Sequence, residues 1–324
     1  MLRSWQQVWR SGPGPLKAKD IIALFGKGML MGMADLVPGV SGGTVAFVTG
    51  IYESFLEAIA SINKDLLKML LKLQIKDALS QAHLRVILPI LCGILFSIFS
   101  LARLMHYLMT DHPVPTWGAF LGLIFASIFV VGKHIQNFFA VKSLSAVFVG
   151  AILGYLAVSL IPVTTPYDNW FIFLCGIIGI TAMLLPGISG SFLLLILGKY
   201  EYITELVKDP FNWQNFSTLL IFTCGTITGL LGFSKILNYC LKHYHNTTMA
   251  FLTGILIGTL KKIWPWKEVL ESKIVRGKVR VLKEANILPT ELSNEVILTI
   301  VLIIIGFVGI MLLEKSHTRK ISQS

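Results

Sequence analysis

Residues 32–53 read GMADLVPGVSGGTVAFVTGIYE, and residues 182–201 read AMLLPGISGSFLLLILGKYE. Each is an apolar stretch interrupted by Pro-Gly and then Ser-Gly. Proline lacks the amide hydrogen that a helix uses, and glycine loosens the backbone, so each stretch predicts two half-helices around a break. A shift of 148 residues places Ala34, Pro38, Gly39, Ser41, Gly42, Gly50, Tyr52 and Glu53 on Ala182, Pro186, Gly187, Ser189, Gly190, Gly198, Tyr200 and Glu201. The chain breaks its helices twice in nearly the same words.

The correspondence continues past the motifs. CGILFSIFSLARLMHY (92–107) answers CGTITGLLGFSKILNY (224–239) at a shift of 132, pairing Arg103 with Lys235 and Tyr107 with Tyr239, and Gly122 then falls on Gly254. The smaller shift leaves the first half with 16 additional residues, KDLLKMLLKLQIKDAL (64–79). Lys64, Lys68, Lys72 and Lys76 recur every four residues among leucines. That spacing predicts an amphipathic helix over 64–82, with leucines in the acyl boundary and lysines at anionic headgroups.

Composition sets the solvent. The chain is 54% hydrophobic and 14% charged, whereas soluble domains are about a quarter charged. Apolar runs recur at 86–109, 117–132, 143–161, 171–185, 217–234, 248–260 and 296–313, on the scale of a bilayer crossing of about 20 residues. The expected class is an all-α polytopic membrane protein with about eight to ten transmembrane or re-entrant helices. The first half uses 20–36, 43–60, 86–109, 117–137 and 142–161; the second uses 170–185, 190–207, 216–241, 248–263 and 295–314. The count per half is odd, whether or not the two short pieces form a re-entrant hairpin. The second half then enters from the opposite face, which predicts two inverted-topology repeats. The organisation follows: a basic interfacial tail (1–19), repeat one (20–161), repeat two (162–314, with a basic loop at 261–294) and a C-terminal tail (315–324).

The net charge of +11 comes from lysines and arginines flanking the spans. It points to anionic membrane lipids as partners and away from nucleic acid. With the N-terminus inside, the basic segments 61–85, 133–142 and 315–320 are cytoplasmic, while loops 110–116 and 162–169 carry no Lys or Arg, as the positive-inside rule requires. The basic segment 261–294 falls outside and breaks the rule. Within it, KIVRGKVRVL (273–282) alternates as a small hairpin does. Cys92, Cys175, Cys224 and Cys240 and the seven histidines show no metal-ligand spacing, so no metal or cofactor is expected.

The breaks carry the candidate chemistry. A half-helix N-terminus offers free N–H donors and a partial positive charge, and so favours anions. Gly39, Gly42, Gly43, Gly187 and Gly190 admit a close ligand. Ser41 and Ser189 add hydroxyls or caps, and Thr44 and Ser191 extend them. Two such sites near a pseudo-two-fold axis would handle a phosphate. The plain alternative is that the motifs only cap and pack the half-helices. Arg103 and Lys235 have two readings: cations for the same phosphate, or side chains snorkelling to an interface. Glu53 and Glu201 carry a proton, pair with those cations, or sit as interfacial helix-end charges. Asp35 faces Met183 in the alignment and has no counterpart, so it is a candidate for an asymmetric role such as proton coupling.

These two motifs resemble the signature of the bacterial PopT-type polyprenyl-phosphate transporter family, over about residues 20–312. The resemblance implies translocation of undecaprenyl phosphate, the C55 lipid carrier of peptidoglycan and envelope polymer synthesis. The carrier would return from the outer to the inner leaflet of the cytoplasmic membrane for reuse. It places phosphate handling at Pro38–Thr44 and Pro186–Ser191. Two other readings stay open. Membrane-embedded polyprenyl pyrophosphate phosphatases have a PG-x-S-R-S type loop, but Gly42 and Gly190 stand where its arginine would be. A transporter of another anion would use the same broken-helix logic.

Overall fold

The computed structural model describes residues 5–37, 40–133, 135–275 and 278–321. The N-terminal segment forms α1 (Trp5–Ser11), followed by α2 (Ala18–Asp35), α3 (Gly42–Val48) and α4 (Tyr52–Ala60). Next come α5 (Lys64–Leu71), α6 (Ile75–Gln81) and three long helices, α7 (Leu84–Asp111), α8 (Pro113–Gly132) and α9 (Val141–Ser159). Then follow α10 (Asn169–Leu184), α11 (Gly190–Ile196), α12 (Tyr200–Leu206), α13 (Trp213–His243), α14 (His245–Ile263) and α15 (Asn294–Ile321). Between α14 and α15 a hairpin of β1 (Lys267–Val275) and β2 (Lys278–Asn286) is antiparallel and irregular around Glu271.

Five described helices are long and apolar enough to cross a membrane: 84–111, 113–132, 141–159, 213–243 and the first 19 residues of α15. At about 1.5 Å per residue, α7 alone exceeds the hydrocarbon thickness of about 30 Å. The chain is therefore a multi-pass helical membrane protein.

Three expectations change. The elements expected at 43–60 and 190–207 each divide in two. Gly50 (φ +70°) and Gly198 (φ +65°) turn the backbone left-handed after α3 and α11, a conformation that ends helices. The helix expected over 64–82 is also two pieces, because Leu73 adopts φ +57° between α5 and α6. The lysine stripe is thereby split, with Lys76 on α6. Finally, α15 continues to Ile321 through most of the segment expected as a tail.

Glycine seams join the helices. A side chain at Gly28 would strike the backbone of Ile90, and one at Gly32 that of Ile94, so α2 and α7 run parallel in close contact. In the second half, Gly225 abuts Phe173 and Gly229 abuts Ile177, giving α10 and α13 the same relation. Two further seams link the halves. Gly118 meets Thr299 and Gly122 meets Ile303, which sets α15 along α8. Gly150 meets Phe251 and Gly154 meets Ile255, which sets α9 along α14. Small residues are what let membrane helices approach this closely, since lipid offers no hydrophobic drive for association. The last helix of each half therefore packs on the other half.

The seams give a test of the packing. Gly122→Ala and Gly254→Ala push a methyl into the Ile303 and Val147 carbonyls respectively, and each is expected to destabilise by about 1–3 kcal/mol as overpacking does. Gly232 lies in α13 with nothing within 4 Å of a built Cβ. Gly232→Ala is expected to be neutral or to stabilise by up to about 1 kcal/mol. Thermal melting of the purified protein in detergent distinguishes the two classes.

Candidate functional site

The break after α2 begins the site. Pro38 and Gly39, both expected to handle phosphate, lie outside the described residues. Past them, Ser41 is the N-cap of α3, and its Oγ accepts from the Gly43 amide at 3.1 Å. The Gly42 amide donates to Asp35 Oδ1 at 2.7 Å. Two of the amides freed at the start of α3 are thus held by its own chain, one of them by a carboxylate, the charge that a helix N-terminus prefers.

The same residues reach into the second half. Ser41 Oγ donates to the Met183 carbonyl at 3.0 Å, Tyr52 donates to the Leu184 carbonyl at 2.8 Å, and Thr44 Oγ1 accepts from the Gly187 amide at 2.7 Å. Ser41, Thr44 and Tyr52 are all buried. The Met183, Leu184 and Leu185 carbonyls stand at the C-terminal end of α10, where a helix leaves acceptors without intrahelical partners. The two breaks, more than 140 residues apart in sequence, satisfy each other's backbone.

The second break is not a copy of the first. Ser189 is the N-cap of α11 but makes no side-chain capping bond; its hydroxyl pairs with Ser191 Oγ at 2.8 Å. Met183 stands where a second Asp35 would be, so no carboxylate closes this end. Gly187 adopts φ +89° beside Thr259, and Gly190 packs on the Gly179 carbonyl. The two breaks thus differ in their caps: α3 is capped by Asp35 and Ser41, while Ser189 and Ser191 keep their hydroxyls on each other.

The other expected residues are scattered. Arg103 and Lys235 lie on exposed faces of α7 and α13, and none of the described hydrogen bonds at the breaks involves them. Glu53 is exposed and bonds His245 Nε2 at 3.1 Å, so its partner is neither Arg103 nor Lys235. Glu201 sits half-buried on the first turn of α12. Asp35 does join the site. One oxygen caps α3, and Oδ2 is buried without a hydrogen-bond partner.

Sequence reading missed two cations. Lys199, in the stretch LGKYE, is 1% exposed. Its ammonium donates to the Thr165 carbonyl at 2.9 Å and lies 3.7 Å from the centre of the Tyr167 ring. Its alignment partner is Ile51, and that polar mismatch was the available signal. Lys262 reaches within 5.0 Å of the Phe192 ring on α11. It shares Glu284 Oε1 with Lys267, at 2.8 and 3.0 Å. Burial lowers the Lys267 ammonium, the nearby Lys262 adds to this, and Glu284 opposes it. The last turn of α14 thus reaches α11, and its Lys262 is tied through Glu284 to the hairpin.

A cavity of about 580 Å³ lies beside the second break. Leu185 forms one wall, with Val149 of α9, Phe233 and Leu237 of α13 and Phe251 of α14, while Lys142 stands among its few polar residues.

The family model that matches the chain is VCA0040-like, described as undecaprenyl phosphate translocase-like, over residues 31–279. A polyprenyl-phosphate transporter of Vibrio cholerae is 38% identical over 309 residues, which cover 92% of this chain and 98% of that protein. A polyprenyl-phosphate transporter of Staphylococcus aureus is 34% identical over 257 residues, 74% of this chain and 84% of that protein. No solved structure gives a significant match.

The asymmetry of the breaks predicts a split between folding and other roles. Thr44→Val and Tyr52→Phe each strand a backbone group of the second break, at about 1–3 kcal/mol apiece. Ser189→Ala removes only a hydroxyl pair and is expected to cost less than about 0.5 kcal/mol. Melting temperatures of the three variants in one detergent check the order.

Proposed function

The chain belongs to the undecaprenyl phosphate translocase-like family, and from that premise we propose that it carries undecaprenyl phosphate across the bacterial cytoplasmic membrane, from outer to inner leaflet. It is a transporter and not an enzyme. The carried carrier lipid then re-enters peptidoglycan and envelope polymer synthesis.

One observation carries the reading: the two breaks meet and share their hydrogen bonds. Non-helical backbone at membrane depth persists only where protein buries it or a polar path needs it. A phosphate crossing hydrocarbon needs such a path, while the polyprenyl tail remains in an apolar medium. Ser189 and Ser191, bonded to each other, supply a hydroxyl pair beside the N-terminus of α11. The apolar cavity against Leu185 lies where the first isoprene units of a bound lipid would run.

The inverted repeat belongs to this proposal. The parallel pairing of α8 with α15 and of α9 with α14 supports it, because consecutive spans alternate direction and so α7 and α13 run oppositely. Asp35 is the proposed coupling residue. Its buried, half-satisfied carboxylate has to release the Gly42 amide before that amide can reach a phosphate. In its protonated form it competes less with the incoming anion. A phosphatase reading gains no support from the break geometry. Gly42 is packed on the Asp35 carboxylate and Gly190 on the Gly179 backbone, so neither position has room for the arginine of the phosphatase loop.

The test uses cells lacking other carrier-recycling translocases, with surface undecaprenyl phosphate measured by a headgroup-binding antibiotic. Loss of the protein is expected to raise the outer-leaflet pool, and Ser189→Ala with Ser191→Ala is expected to behave like the loss at normal protein abundance. Accumulation of undecaprenyl pyrophosphate instead would favour the phosphatase. No change in either lipid would point to another anion. Asp35→Asn, which keeps a capping oxygen and removes the ionisable carboxyl, is expected to make transport in proteoliposomes insensitive to an imposed proton gradient. A wild-type response to the gradient in that variant rejects the coupling role.

A further inference from the structure

Two segments have no place in the repeat: the N-terminal helix α1 and the inserted pair α5–α6. They meet at one residue. α1 lies against α6, and the chain after it crosses the start of α7, where Gly14 rests on Arg85 and Val86. Beneath this roof is a cavity of about 90 Å³ bounded by Val8, Trp9, Pro13, Leu79, Leu84 and Arg85.

Arg85 is 5% exposed, and its Nε and Nη1 are buried with no hydrogen-bond partner. A buried, unpaired guanidinium is costly, because the water it gave up is not replaced. Its position makes the cost larger. Arg85 stands on the first turn of a 28-residue helix whose N-cap, His83, makes no side-chain capping bond. That end of the helix already carries positive potential. A single anion relieves both penalties. The guanidinium fork matches phosphate in a bidentate way, and the helix end adds its positive potential, although the Leu84, Val86 and Ile87 amides are already bonded to Ala82 and His83. The cavity, about 90 Å³, exceeds the roughly 10–15 Å³ that one water needs, so it has room for a group larger than water. Apart from the guanidinium its walls are apolar, which suits a phosphate carried on a lipid. The second half has Ser217 at the place aligned with Arg85 and nothing matching α5–α6, so this feature stands outside the paired breaks.

We infer that Arg85, at the N-terminus of α7 and covered by α1, is a binding site for the phosphate of an anionic lipid headgroup, separate from the transport path. The lipid clasps the N-terminal segment and the inserted helices to the membrane surface.

The test is the melting temperature of the full-length protein in maltoside micelles, titrated with dioctanoyl phosphatidic acid, dioctanoyl phosphatidylcholine or inorganic phosphate. Phosphatidic acid is expected to raise the wild-type melting temperature by several degrees and to saturate, with phosphatidylcholine much weaker. Arg85→Met is expected to weaken the apparent affinity at least tenfold, and Arg85→Lys to fall between, which keeps the test readable if the methionine variant folds poorly. The response assigned to this site is the part of the shift that Arg85→Met removes, so a failure of the transport reading does not disturb this result. Equal responses of wild type and both Arg85 variants, or no wild-type response to either phosphate probe, overturn the site. A shift produced in full by inorganic phosphate and lost in Arg85→Met overturns the lipid as its source.

Discussion

A helix broken inside a bilayer leaves amides and carbonyls with no water to bond, and everything else in this structure answers that constraint. The answer is reciprocal. The carbonyls that end α10 are taken up by Ser41 and Tyr52, and the amide of Gly187 by Thr44. Each break thus draws part of its hydrogen bonding from the other half. Burial strengthens the arrangement, because an unmade bond costs more in a low dielectric than in water.

The repetition is one of backbone, and the chemistry has diverged on it. Asp35 closes the start of α3, and Met183 leaves the start of α11 without a carboxylate. Lys199 is buried where the first half has Ile51, and Arg85 stands where the second half has Ser217. Each substitution places a charge in only one half.

The helical class, the membrane habit and the two breaks were legible because they rest on composition and on local backbone rules. Pro-Gly and the 148-residue shift named the break residues directly. What the sequence could not show was partnership. Nothing local to Tyr52 indicates that its hydroxyl serves Leu184, and Ser41 and Ser189 look equivalent until their bonds are seen. Arg103 and Lys235 drew notice as charges in apolar runs, yet they lie on exposed faces. The cation that reaches α11, Lys262, is one of many in the basic segment 261–294, and nothing local singles it out. The helix over 64–82 failed for a local reason, a left-handed Leu73 that no propensity favours.

The seams decide how such a fold can move. α9 is locked to α14, and α15 to α8, through glycines that leave no space for sliding without backbone contact. Each of these pairs takes one helix from each half. The two sequence halves are therefore interlocked along these seams. Within the halves, α2 with α7 and α10 with α13 are each held by a seam of their own. Between them run the bonds from Ser41, Thr44 and Tyr52 and the ion pair of Glu57 with Lys242 at 2.6 Å. On the transport reading, opening a path for a phosphate means exchanging those cross-half bonds for bonds to the headgroup. The polar groups remain satisfied throughout, which is how an anion can pass a region where a vacant donor or acceptor would be too costly to expose.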